Sequence, residues 1–207
     1  MNRSERKELF EKIDIYPVFG ELEVLAAVIA GGARIVQLRA KKYSDRDFFN
    51  QAKKFRKITA EHGVLLIIND RIDVALATEA DGVHLGQTDL PVETARRLAP
   101  ELLIGVSTHD LAEALAAEKA GADYINIGPI FSTQTKEAKP IGVEAIRQIA
   151  PKINIPFTVM GGIKLENVDS VLAVGARRVA VVTALTLAKD IAKSTREFVL
   201  KISGRGN

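Results

Sequence analysis

The stretch KAGADYINIG at residues 119–128 decides the fold of this chain, because it carries the chain directly from the end of a helix into a strand. Gly121 suits the left-handed turn that ends a helix, and the apolar run after it is typical of a strand. Three similar stretches read AGGARIVQL at 30–38, EADGVHLG at 79–86 and AVGARRVAVV at 173–182. The chain is therefore predicted to repeat one helix-to-strand unit.

Short apolar runs rich in β-branched residues continue this pattern along the whole chain. Several, such as VLLII at 64–68, are apolar throughout, which is typical of parallel strands buried on both faces. The four similar stretches lead into the second, fourth, sixth and eighth of these runs. The eight predicted strands are Ile15–Phe19, Arg34–Arg39, Val64–Ile68, Gly82–Gly86, Leu102–Ser107, Tyr124–Ile130, Pro156–Met160 and Arg178–Thr183.

Segments with helical periodicity lie between the strands. Asp47–His62 has a continuous apolar face, and Ser44 is its predicted N-cap. Further predicted helices are Asp110–Ala120, Leu165–Val174, Leu187–Ile202 and a short charged helix at the N-terminus. We expect one domain over residues 1–207, a (β/α)8 TIM barrel with a short N-terminal helix. A doubly wound open sheet is the structural alternative.

The composition is that of an ordinary globular protein. Of the 207 residues, 47% are hydrophobic and 27% are charged, which does not fit a disordered chain. There are no cysteines, so disulfides, thiolate metal sites and cysteine nucleophiles are excluded. No apolar run approaches the ~20 residues that span a bilayer, and the N-terminus lacks the apolar core of a signal peptide. We therefore expect a cytoplasmic protein that does not bind membranes.

The net charge of +3 raises the question of a nucleic-acid partner. Basic residues alternate with acidic ones along the predicted helices, and no basic block carries interleaved aromatic residues. The sequence therefore argues against nucleic-acid binding.

Charged residues follow several predicted strands at their C-terminal ends, where TIM barrels carry their active sites. Arg39, Lys41 and Lys136 provide positive charges that suit a phosphorylated ligand. Asp70 and Asp89 follow neighbouring strands, and two carboxylates together with substrate phosphates are the usual ligands of Mg²⁺. Because no nucleophile is apparent, this set predicts metal-assisted chemistry on a diphosphate leaving group.

Neutral groups extend the same predicted site. Ser107, Thr133 and Thr135 offer hydroxyls, and Gly161–Gly162 lies in a loop that frequently binds phosphate in this fold. Taken singly, several of the candidates have structural explanations. Asp70, Asp89 and Ser107 could cap the helices that follow them, and His84, within its strand, is expected to be packed rather than catalytic.

The motifs as a set resemble the thiamine phosphate synthase family, in the right order and over nearly the whole chain. They are QLRAK at 37–41, INDR at 68–71, DGVHLGQTD at 81–89, GVSTH at 105–109, GADYINIGPIFSTQTK at 121–136 and GGI at 161–163. The resemblance implies that a pyrimidine methyl diphosphate ionises and that a thiazole phosphate captures the cation. The products are thiamine phosphate and diphosphate, with carbon dioxide when the thiazole is carboxylated.

The resemblance also assigns roles to residues, with Mg²⁺ as the implied cofactor at Asp70 and Asp89. The implied catalytic residues are Arg39, Ser107 and Lys136. The residues implied to bind substrate are Gln37, Leu38, Arg39, Ala40, Lys41, Asn69, Ser107, Thr133, Gln134, Thr135, Lys136, Gly162, Val182 and Thr183. This chain departs from the family pattern at Ala40, where an acidic residue is usual, at the first strand YPVFG, and at Thr183, where serine is frequent.

Two other functions compete with this one. A thiazole tautomerase-like paralogue would share the barrel, but such relatives typically lack a second metal aspartate and the Thr-x-Thr-Lys loop, here Asp89 and 133–136. A barrel that binds phosphorylated ligands without turnover would have no use for two carboxylates beside a diphosphate. The expected partners are the two small-molecule substrates, with a homo-oligomer as a further option.

Overall fold

The computed structural model of the chain describes residues 1–133 and 138–204. In these ranges the strands are β1 (Ile15–Phe19), β2 (Ile35–Leu38), β3 (Leu65–Asn69), β4 (Gly82–Leu85), β5 (Leu103–Thr108), β6 (Tyr124–Ile127), β7 (Phe157–Val159) and β8 (Val179–Val181). Each strand pairs in parallel with the next one along the chain, and β8 pairs with β1 to close the barrel. The TIM-barrel prediction is confirmed, and the open-sheet alternative is wrong.

Helices follow the strands and cover the outside of the barrel. They are α1 (Arg3–Glu11), α2 (Leu22–Ala30), α3 (Asp45–Glu61), α4 (Ile72–Ala77), α5 (Val92–Leu98), α6 (Leu111–Lys119), α7 (Glu144–Ile149), α8 (Val168–Leu172), α9 (Thr183–Thr186) and α10 (Ile191–Ser203), with a 3₁₀ turn at Ala150–Lys152. Ser44 caps α3 as predicted, because its hydroxyl accepts the Asp47 N–H at 3.2 Å. Within 1–133 and 138–204, no helix has both the length and the apolar character needed to cross a membrane.

Several predicted boundaries are wrong. The helix predicted over Leu187–Ile202 begins later, at Ile191, because the Asp190 carboxylate accepts the Lys193 N–H at 2.9 Å and starts α10 there. Thr183, predicted to end the eighth strand, opens the separate helix α9. β6 ends at Ile127 rather than at the predicted Ile130, since Pro129 has no N–H to offer a β-ladder.

Side chains alternate between the two sides of the barrel wall. In β6, Ile125 and Ile127 belong to the large apolar cluster beneath the helices, whereas Tyr124 belongs to a smaller cluster inside the barrel. The inner cluster also holds Ile35, Leu65 and Leu103 from other strands. This alternation directs polar residues at matching positions near the strand ends toward the barrel mouth.

α1 closes the opposite, N-terminal end of the barrel. The Phe10 ring lies 4.2 Å from the Tyr124 ring, and the Arg178 guanidinium lies 5.9 Å from the centre of the Phe10 ring. Arg3 bridges to Asp123 at 2.8 Å, and Arg6 to the buried Asp81 at 3.4 Å. With this end filled, ligands have access to the barrel interior from the mouth.

The repeated sequence stretches form one recurring turn. In each, an alanine N–H donates to the carbonyl five residues back, from Ala33, Ala80, Ala122 and Ala176 to Val28, Ala75, Ala117 and Val171 at 2.9–3.1 Å. The residue before each alanine has a positive φ, and it is glycine in three turns but Glu79 in the fourth. The turn matches the Schellman motif that ends helices, which confirms the predicted repeat.

Candidate active site

Two carboxylates and two basic side chains meet at the mouth beyond β2, β3 and β4. Lys41 Nζ lies 3.7 Å from Asp70 Oδ2, and Asp89 accepts the Gly86 N–H at 2.6 Å. Burial raises the pKa of Asp70, and the neighbouring Asp89 carboxylate raises it further, while Lys41 and Arg39 oppose the rise. The sequence prediction that Asp70 and Asp89 lie together is confirmed.

The alternative explanation, that Asp70, Asp89 and Ser107 cap the helices that follow them, is wrong. α4 begins after Arg71 and α5 after Pro91, and neither start has a side-chain cap. α6 is capped by Asp110, whose carboxylate accepts the Glu113 N–H at 2.8 Å, so Ser107 does not cap it. Asp70 also has a φ of +62°, a left-handed conformation that is uncommon outside glycine.

A chain of buried hydrogen bonds runs beneath the mouth from one side of the barrel to the other. Gln37 Nε2 donates to the Tyr16 hydroxyl at 2.9 Å, and Tyr16 and Tyr124 share a hydrogen bond at 2.9 Å. His84 Nδ1 lies 3.2 Å from the Tyr124 hydroxyl, and His84 Nε2 lies 3.0 Å from Ser107 Oγ. Two predicted site residues, Gln37 and Ser107, are thus the ends of one network.

One assignment of protons lets each tyrosine hydroxyl accept one hydrogen bond and donate another. Tyr16 then donates to Tyr124, Tyr124 donates to His84 Nδ1, and His84 Nε2–H donates to Ser107 Oγ. Burial lowers the pKa of His84 to about 4, so the ring is neutral at neutral pH, as this assignment requires. The Ser107 hydroxyl keeps its own proton to donate to a ligand at the mouth.

The loops after β7 and β8 form a narrow cleft on the far side of the mouth. Gly161 and Gly162 have φ of +104° and +61°, and a side chain on Gly162 would overlap the Ser132 carbonyl. Asn167 Nδ2 fixes this loop by donating to the Gly162 carbonyl at 3.0 Å. The residues lining the cleft include Thr133, Gly162, Val182 and Thr183, four residues of the predicted set.

The other predicted residues have different positions. Leu38 is fully buried among the apolar residues beneath the helices, so its side chain does not face the mouth. Lys41, Asn69 and Asp70 line a cavity of about 300 Å³ at the mouth, together with Ala40. Gln134, Thr135 and Lys136 lie outside the described residues.

Sequence reasoning did not find the role of the buried tyrosines. His84 is packed, as expected, at 5% exposure, but it also contacts Ser107. The sequence signal for these residues is their inward position on the strands. Along each strand, residues of the outer apolar cluster alternate with one of Tyr16, Gln37, His84, Ser107 and Tyr124. Position on a strand does not show whether two inward side chains reach each other.

Comparison with known proteins gives consistent matches. The family model described as thiamine monophosphate synthase matches residues 16–185. The thiamine-phosphate synthase of Chloroflexus aurantiacus is 47% identical, over 87% of this chain and 84% of that protein. The thiamine-phosphate synthase of Pyrococcus abyssi is 42% identical, over 91% and 94%. The solved thiamine phosphate pyrophosphorylase of Pyrococcus furiosus superposes with a TM-score of 0.88 at 38% identity, covering 97% of this chain and 98% of its own.

Proposed function

The chain belongs to the thiamine monophosphate synthase family, and we propose that its barrel mouth couples a pyrimidine methyl diphosphate to a thiazole phosphate. The C–O bond between the pyrimidine methylene and the diphosphate breaks, and its electron pair leaves with the diphosphate. The thiazole nitrogen then supplies the electron pair of the new C–N bond. The products are thiamine phosphate and diphosphate.

The observation that carries this proposal is the charge arrangement beside Asp70. Arg39 and Lys41 are both close enough to lower the pKa of its carboxyl. Positive groups fixed in place stabilise the charge that develops on a departing diphosphate, without reorganising during the reaction. A reaction that begins by ionisation needs such groups and a dry, ordered site rather than an enzyme nucleophile.

Asp70 and Asp89 fit a magnesium ion. Their proximity raises the pKa of the Asp70 carboxyl, and a divalent cation between them would remove that repulsion. Two carboxylates, with water and substrate phosphate oxygens completing the shell, form a usual Mg²⁺ site. The ion would neutralise charge on the diphosphate.

Ser107 is proposed to donate to the departing diphosphate. In the proton assignment that lets each tyrosine accept one hydrogen bond and donate another, the Ser107 oxygen accepts from His84, which leaves its proton for the diphosphate. Gln37 and Asn69 would orient the pyrimidine, and Leu38 and Ala40 are proposed beside it from the family resemblance. Lys136 is proposed from the family resemblance as a second cation at the diphosphate.

The cleft between Gly162 and Thr183 is proposed to hold the phosphate of the thiazole. Backbone groups there are accessible because glycine at 162 leaves no side chain over the loop. Thr133 and the backbone of Val182 and Thr183 complete its walls, and Gln134 and Thr135 are proposed to cover it. This places the two phosphorylated groups on opposite sides of the mouth.

The test is a direct assay of thiamine phosphate. The protein is incubated with Mg²⁺ and both substrates, and product should form only when all three are present. Thiazole isomerisation in place of product would identify the tautomerase-like alternative. Binding of either substrate without turnover would identify a barrel that only binds its ligands, an alternative that the curated relatives do not favour. Magnesium as the metal, a cytoplasmic location and self-association remain predictions.

A further inference from the structure

Tyr16, Tyr124 and His84 have no part in the proposed reaction, although they lie between two residues that do. Gln37, proposed to orient the pyrimidine, is on β2, and Ser107, proposed to donate to the diphosphate, is on β5. These two strands are not neighbours in the barrel. Four hydrogen bonds of 2.9–3.2 Å nevertheless join Gln37 to Ser107 through the three buried side chains. We call these five side chains the relay.

The middle of the relay is closed to solvent. Tyr16 and Tyr124 are fully buried, and His84 is 5% exposed. Both tyrosine hydroxyls and both ring nitrogens of His84 have their partners inside the relay. Because a buried proton without an acceptor is unfavourable, the position of each hydroxyl proton depends on the neighbouring members of the relay.

This dependence passes from one end of the relay to the other. The Gln37 amide nitrogen can only donate, so Tyr16 accepts from it and gives its own proton to Tyr124. Tyr124 in turn donates to His84 Nδ1, and the neutral ring has its proton on Nε2, where it donates to Ser107. Ser107 then keeps its own proton for a ligand at the mouth.

The opposite order of protons requires one change at Gln37. If the amide turned its oxygen toward Tyr16, Tyr16 would donate to it, Tyr124 would donate to Tyr16, and His84 Nδ1–H would donate to Tyr124. His84 Nε2 would then be an acceptor, and Ser107 would turn its proton inward to reach it. The orientation of the Gln37 amide therefore decides whether Ser107 presents a donor or an acceptor at the mouth.

We propose that Tyr16, Tyr124 and His84 are positioning residues through which the Gln37 amide holds the Ser107 proton toward the diphosphate. This inference rests on the proposed function, which places the diphosphate at Ser107. Residues that lie apart and share no partner usually act independently. Here a change at the pyrimidine end of the mouth is expected to alter the affinity for diphosphate at the other end.

The probe for this effect is inorganic diphosphate with Mg²⁺, because it carries no ring through which a change at Gln37 could be transmitted. Gln37→Met removes the amide and keeps the length of the side chain. We expect its dissociation constant for diphosphate, measured by calorimetry, to rise about threefold to tenfold, the effect of one hydrogen bond. Tyr124→Phe, which removes one hydroxyl from the relay, should give a similar rise. Thr195→Val, which removes a buried hydroxyl bonded to the Ile191 carbonyl in α10, should leave the dissociation constant unchanged.

The decisive comparison combines two substitutions. In Tyr124→Phe the relay is already broken, so adding Gln37→Met should change the dissociation constant by less than about twofold, within the margin of such comparisons. Ser107→Ala should abolish the effect of Gln37→Met in the same way. Tyr16→Phe breaks the relay one bond earlier and takes the place of Tyr124→Phe if that variant does not fold. An equal effect of Gln37→Met with and without the Tyr124 hydroxyl would overturn the proposal, and so would an unchanged affinity in Gln37→Met alone.

Nitrogen-15 NMR of the histidine rings tests the order of protons without any ligand. In the wild type, His84 should carry its proton on Nε2, whereas in Gln37→Met both tautomers should be populated. His84→Gln identifies the signal among the three histidines. A wild-type proton on Nδ1 would mean that the relay runs in the opposite direction, and the proposal would be wrong. If the wild type neither binds diphosphate nor makes thiamine phosphate, the proposed function itself is wrong, while the NMR result still decides the order of protons.

Discussion

His84 shows how a single residue of this site depends on burial. It is held between Tyr124 and Ser107, and its low pKa follows mainly from loss of solvation, with the nearby Arg39 charge acting in the same direction and Asp89 opposing. The neutral ring can accept at Nδ1 while it donates at Nε2. Protonation would place a donor at both nitrogens and break the order of the network.

The depressed pKa of His84 predicts a pH dependence of stability. The unfolded chain takes up a proton near pH 6.5 and the folded chain only near pH 4, so stability is lost as pH falls between these values. At about 1.4 kcal/mol per pH unit, the loss reaches roughly 3 kcal/mol. Urea unfolding should show that the stability difference between wild type and His84→Gln narrows by this amount from pH 7 to pH 4. His62→Gln, at an exposed histidine, is the control. If the free energies of unfolding of the wild type and His84→Gln change in parallel with pH, the prediction is contradicted.

Asp89 allows a test of the metal with little disturbance of the fold. Asp89→Asn keeps an oxygen for the Gly86 N–H and removes the charge. We expect Mg²⁺-dependent kcat/KM to fall about a hundredfold or more, since metal charge stabilisation amounts to several kcal/mol, with an unchanged unfolding midpoint. Asp190→Asn, which keeps a good N-cap for α10, serves as the control. Turnover near the wild-type level in Asp89→Asn would remove Asp89 from the metal site.

Among the elements, the four helix-to-strand turns are the clearest case of one local structure used repeatedly. Each turn needs a residue with positive φ before its buried alanine, and in three turns this residue is glycine. Glu79 has a φ of +53° and is exposed, so the fourth turn carries a side chain in a conformation that costs about 1–2 kcal/mol relative to glycine.

Glu79→Gly should therefore stabilise the protein. The relief of backbone strain exceeds the added entropy of glycine in the unfolded chain, about 0.4–1 kcal/mol, and leaves a net gain of roughly 0.5–1 kcal/mol. Gly121→Ala at the equivalent turn should destabilise by a similar amount. A Cβ there meets no atom of residues 1–133 or 138–204 within 4 Å, so the effect is that of φ alone. Chemical denaturation measures both, and a loss of stability in Glu79→Gly would refute the argument.

The elements also show what could be predicted from sequence and what could not. The strands, the repeated turn and the meeting of Asp70 with Asp89 follow from patterns local to the chain. The contact of Tyr16 with Tyr124 joins residues 108 positions apart, and it depends on Gly105, where a side chain would overlap the Tyr124 ring. Such a fit depends on the shape of the barrel interior, which no local pattern records. The start of α10 was missed because the competing cap at Asp190 lies within an otherwise helical sequence.

At the scale of the whole molecule, the barrel has one closed end and one open end. α1 contributes Phe10, which is 2% exposed and packs against both Tyr16 and Tyr124. The inner apolar cluster is thus continuous from the N-terminal helix to the layer beneath the site. Tyr16 and Tyr124 therefore contact both the helix at the closed end and the hydrogen-bond network beneath the mouth.

Phe10→Ala should cost about 3–5 kcal/mol of unfolding free energy, the usual range for removing a buried phenylalanine. Leu9→Ala, on the same helix but 38% exposed, should cost less than about 1 kcal/mol. Equilibrium unfolding in urea compares the two variants with the wild type. Equal, small losses for both would mean that α1 does not close the barrel.

Tyr16 and Tyr124 provide an intrinsic spectroscopic probe of the region beneath the mouth. The chain has no tryptophan and three tyrosines, and the third, Tyr43, is 45% exposed. Most of the near-ultraviolet signal therefore comes from two phenols directly beneath the reacting groups. Burial raises the pKa of Tyr16 and the pKa of Tyr124 above the ordinary value for tyrosine, so in an alkaline titration these two phenols should ionise only as the barrel opens. If a ligand that binds at the mouth rearranges the hydroxyl of Ser107, its binding can be followed by ultraviolet spectroscopy without any added dye.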